Sequence, residues 1–187
     1  MKRKIYIETG SLISIKKNVE NILIPSEERH LNMYPMDFEE FLWATGNNNL
    51  MELIRNCFEN QNPLGQLMHR KIMDYFKQYL IVGGMPQAVE KYIKTKNFKD
   101  VDLIKRDILN LYKDDIVKYS GDDSTKVQSI FEEIPSQLQK HEKRFSLLNK
   151  FRKKYKEYLS TGYVLHIDDL KVENDIIFLP IYMTCLL

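Results

Sequence analysis

Glu39 and Glu40 are adjacent carboxylates, a residue pairing that acid–base catalysis uses, yet they stand in the phrase Met36-Asp37-Phe38-Glu39-Glu40-Phe41. That phrase spells a helix start. Asp37 takes the N-cap, Glu40 the third helical position, and Met36 faces Phe41 as a hydrophobic staple, so capping and the helix dipole account for both glutamates. Asp114 and Asp115, in Tyr112-Lys113-Asp114-Asp115-Ile116-Val117-Lys118-Tyr119, would lie on different faces of a helix, which argues for a solvated face with Lys113 and Lys118 rather than a shared metal. His30, His69, His141 and His166 are scattered singly, with no HExxH and no Cys/His ligand spacing, so no metal site is expected. Cys57 and Cys185 form no CxxC pair and read as ordinary buried or half-buried thiols in a reduced, cytoplasmic setting. No Ser-His-Asp or Cys-His constellation is legible, and no catalytic residue is assigned.

A loop that cradles phosphates needs glycines for close backbone approach, a lysine for charge and a hydroxyl for magnesium, written GxxxxGK[ST]. The sequence has seven glycines and no such pattern. Thr9-Gly10-Ser11 lacks the partner glycine and lysine, and on the residues alone it is a turn. The densest charge is basic: Lys140, Lys143, Arg144, Lys150, Arg152, Lys153, Lys154 and Lys156 face only Glu142, a local +7 interleaved with Phe145, Phe151 and Tyr155. Two readings stay open here. One is a solvated amphipathic helix with Phe151 and Tyr155 turned inward; the other is contact with nucleic-acid phosphates, weak, sequence-independent and steeply lost with salt. The whole chain, with 28 Lys and Arg against 26 Asp and Glu, carries a net +2 and does not itself demand such a partner.

These groups must be positioned by a mainly helical α+β chain. The 187 residues, 43% of them hydrophobic, suffice for one sizeable core or two small ones. A short β-branched run predicts a buried strand at 5–7, and 30–34 reads as another strand. Apolar spacing predicts helices at 37–45, 47–60, 65–80, 85–95 and 98–119, punctuated by Gly46, Asn62-Pro63 and Gly83-Gly84. A helix over 125–134 should stop at Pro135, with 136–140 forming a second short one, a pair small enough for a helix-turn-helix unit. A basic helix at 147–159 and strands at 163–167 and 175–179 complete the reading. The longest apolar run, 176–187, is too short to span a bilayer and contains Pro180, so no membrane partner is expected.

Five phrases, at 7–15, 24–46, 79–93, 108–119 and 130–145, together resemble one family: bacterial and archaeal AAA-type ATPases that carry a winged-helix segment and a C-terminal nuclease-like domain of unknown function. They are IETGSLISI, IPSEERHLNMYPMDFEEFLWATG, YLIVGGMPQAVEKYI, ILNLYKDDIVKY and IFEEIPSQLQKHEKRF, in the family's order. The final stretch, 146–187, resembles that family's C-terminal tail. The resemblance implies a remnant of the ATPase sheet edge at 1–46, a helical lid at 47–97, a linker helix and partial winged helix at 98–145, and the tail of the nuclease-like domain at 146–187. Phe145-Ser146 then reads as a deletion junction, beyond which the tail is expected to dock poorly and to leave its apolar end, 178–187, exposed. The resemblance places Thr9 and Ser11 where a polar residue senses the terminal phosphate, and Gly84-Met85-Pro86 at a lid element near the base. On the residues alone, Gly83 to Pro86 separates two helices. ATP and magnesium belong to the intact relatives; for this chain, without a phosphate loop, no cofactor and no autonomous hydrolysis are expected. The functional expectation is a truncated ATP-binding protein of the AAA class, with a DNA-binding or protein-interaction module, built on the partial winged helix and the basic stretch, as the alternative.

Overall fold

The computed structural model describes residues 31–138, 162–173 and 176–187. The chain divides after Tyr34 into two units, 1–34 and 35–187. Of the first, only 31–34 are described, and they are irregular. The strand expected at 30–34 is therefore corrected over its described part: Leu31-Asn32-Met33-Tyr34 holds no β-branched residue, and asparagine disfavours strands. The strand expected at 5–7 and the basic helix expected at 147–159 lie outside the described residues.

The second unit is mainly helical with a small sheet. Helix α1 (Phe38–Ala44) starts as its sequence prescribes: the Asp37 carboxylate accepts the Glu40 amide at 2.8 Å, and Glu40 accepts the Asp37 amide at 3.0 Å. Gly46, at φ +83°, turns the chain toward α2 (Leu50–Glu59). Helices α3 (Gln66–Val82) and α4 (Pro86–Thr95) follow, then α5 (Phe98–Tyr119), capped by the Asn97 side chain on the Lys99 amide at 3.0 Å. After a single 3₁₀ turn, Gly121–Asp123, comes α6 (Ser124–Leu138). No helix among the described residues is long and apolar enough to cross a membrane.

Helix α6 corrects the expected helix-turn-helix pair, because it runs unbroken through Pro135. Proline removes one intrahelical bond and crowds the carbonyl four residues back, but the loss is local. Here the Ser136 hydroxyl donates to the Glu133 carbonyl at 2.8 Å and the helix continues.

The sheet has strand order β1-β3-β2, from β1 (Gly162–His166), β2 (Lys171–Glu173) and β3 (Ile176–Pro180). Strands β1 and β3 run parallel with Gly162 opposite Ile176; β2 returns antiparallel with Lys171 opposite Phe178. Ile177 and Leu179 of β3 face one way and are buried, and a 3₁₀ segment, Ile181–Leu186, adds Tyr182 and Met183. These residues share one apolar core with Phe41, Ile54, Ile72, Val89 and Val101 of the helices. The expectation that the tail docks poorly with its apolar end exposed is thereby corrected for its described part. Leu179, Tyr182 and Met183 are each 0% exposed and lie in the core cluster that the helices share.

Candidate functional site

Of the residues assigned by sequence to nucleotide contact, Thr9 and Ser11 lie outside the described residues, as do the basic residues Lys140, Lys143, Arg144, Lys150, Arg152, Lys153, Lys154 and Lys156. Gly84, Met85 and Pro86 are described, and their geometry begins with backbone. Gly83 closes α3 at φ +81°, ψ 178°, a conformation open to glycine almost alone. Pro86 opens α4 in its first turn, where the missing N–H costs nothing. Between them the Gly84 carbonyl accepts the Met36 amide at 2.7 Å, and the Tyr79 hydroxyl donates to the Met36 carbonyl at 3.1 Å. The turn and the Tyr79 side chain of α3 together satisfy both backbone polar groups of Met36. The approach is so close that a Cβ at Gly84 would stand 2.2 Å from the Met36 oxygen. Tyr79 is packed between Phe38 and Phe41, and burial, with the Asp37 carboxylate nearby, pushes its phenol above the ordinary value.

A second constellation joins residues that sequence spacing kept apart. Asp169, in the connection from β1 to β2, accepts the amides of Leu64 at 3.1 Å, Gly65 at 2.7 Å and its neighbour Leu170 at 2.8 Å. Leu64 and Gly65 are the last residues before α3, so one carboxylate clasps the start of that helix. One turn on, His69 uses both ring nitrogens: Nδ1 lies 2.9 Å from the Tyr182 hydroxyl and Nε2 lies 3.0 Å from the Ile167 carbonyl. A carbonyl only accepts, so in the neutral ring Nε2 carries the proton and the tyrosine donates to Nδ1. Burial raises the Tyr182 phenol far above its ordinary value, and the nearby Asp169 charge adds to this. The Cys57 thiol is pushed up by burial and by the same carboxylate.

With both imidazole nitrogens and the Tyr182 hydroxyl in hydrogen bonds, this group ties the C-terminal segment to the start of α3. Neither Asp169 nor Tyr182 was singled out from sequence, because no local spacing announces a contact spanning about a hundred residues. The neighbouring His166 is 16% exposed, its Nδ1 lies 3.8 Å from Asp168, and its buried Nε2 has no partner among the described residues. No group of three or more His, Cys, Asp or Glu among the described residues is placed to hold a metal ion. Glu40 caps α1 as its spacing from Asp37 implied, and Glu39 pairs with Arg55 of α2, a contact the spacing did not indicate.

Residues 73–166, from the middle of α3 to the end of β1, match the model of a family described as a domain of unknown function, DUF8612. No curated protein and no solved structure matches. The Gly84 turn lies inside the matched span, and the Asp169 and Tyr182 ends of the clasp lie beyond it.

Proposed function

We propose that this chain, which belongs to the DUF8612 family, is a lid-bearing part of an AAA-type ATPase that does not hydrolyse ATP by itself. The observation that carries the reading is the Gly84-Met85-Pro86 turn. In the resemblance it is the lid element near the nucleotide base, and in the fold it is a corner tied to Met36 by close backbone approach. A corner of this kind holds two helices at a set angle, which is what a lid requires of its hinge-side turn. Phosphoryl transfer, in contrast, depends on positioned charges and backbone amides around the phosphates. The sequence has no GxxxxGK[ST] to supply them.

Calorimetric titration of the purified chain with ATP and magnesium, paired with a phosphate-release assay, tests the reading. Weak nucleotide binding that Met85→Lys abolishes, without turnover above buffer, is the expected result. Saturable hydrolysis would overturn the inactive part, and the absence of any heat of binding would remove the lid assignment.

A further inference from the structure

We draw no further inference here: the strongest candidate, the apolar groove between α5 and α6 lined by Leu109, Phe131, Ile134 and Pro135, carries nothing, because nothing among the described residues shows what covers it.

Discussion

Leu179 and Ile130 are both aliphatic residues on amphipathic elements, yet the first is 0% and the second 67% exposed. The difference lies in what surrounds each element. Strand β3 turns one face onto the helices, and the segments before and after it are tied to the start of α3 by the Leu64 and Gly65 amides that Asp169 accepts and by the contact of Tyr182 with His69. The α5–α6 hairpin closes through local bonds and surface ion pairs such as Lys113–Glu132, both partners of which are largely solvated and add little. Apolar side chains on both its helices stay open, among them Leu111 at 62% and Val117 at 60%. Sequence distance is thus a poor guide to membership of the core. The far tail belongs to it, and a long helical stretch nearer in sequence mostly does not. The core holds the close-packed corner at Gly84, while the hairpin offers apolar surface.

The largest expected effect comes from that corner. Gly84→Ala forces a methyl into the Met36 carbonyl, and thermal unfolding should show a loss of about 3 kcal/mol or more, since backbone on both sides must move. Leu179→Ala follows. It empties a fully buried site and should cost about 2–4 kcal/mol, with sheet and helix signals lost in one transition. The matching change on the hairpin, Leu111→Ala, should stay within about 0.5 kcal/mol, and a large loss there would break the contrast between the regions. Asp169→Ala leaves three amides without their acceptor and should cost about 2 kcal/mol in denaturant unfolding.

The smallest effect is a pH dependence. Burial raises the phenols of Tyr79, Tyr92 and Tyr182, so the folded state holds these protons longer than the unfolded chain does. Their contribution is complete below the unfolded tyrosine value of about 10 and is lost as pH climbs beyond it. Tyr182→Phe should flatten that alkaline loss in denaturant titrations, at about 1 kcal/mol lower stability near neutrality from the missing bond to His69.

Much of the helical part was legible because its signals are local. The Asp37–Glu40 box, Gly46, Gly83 and Pro86 each constrain only their own few residues, and the helices fall close to the ranges their spacing implied. Pro135 misled for the same reason: a breaker read locally says nothing of the turns before and after it that keep the helix intact. Strand β2, Lys171-Val172-Glu173, is short and exposed, and only its pairing with β3 makes it a strand. The clasp was illegible in principle. Asp169 and Leu64 are 105 residues apart, and neither type nor spacing marks one as the other's partner.

Native-state hydrogen exchange read by mass spectrometry on the full chain tests most directly whether the tail and the helices are one cooperative core. Amides of Ile177 and Leu179 should open with the same free energy as those of Phe41, Leu42 and Ile72, in a single global event, while α6 amides exchange through smaller openings. If β3 exchanges early while α1 and α3 stay protected, the tail is a separate and weaker layer, and the division drawn between core and hairpin is in the wrong place.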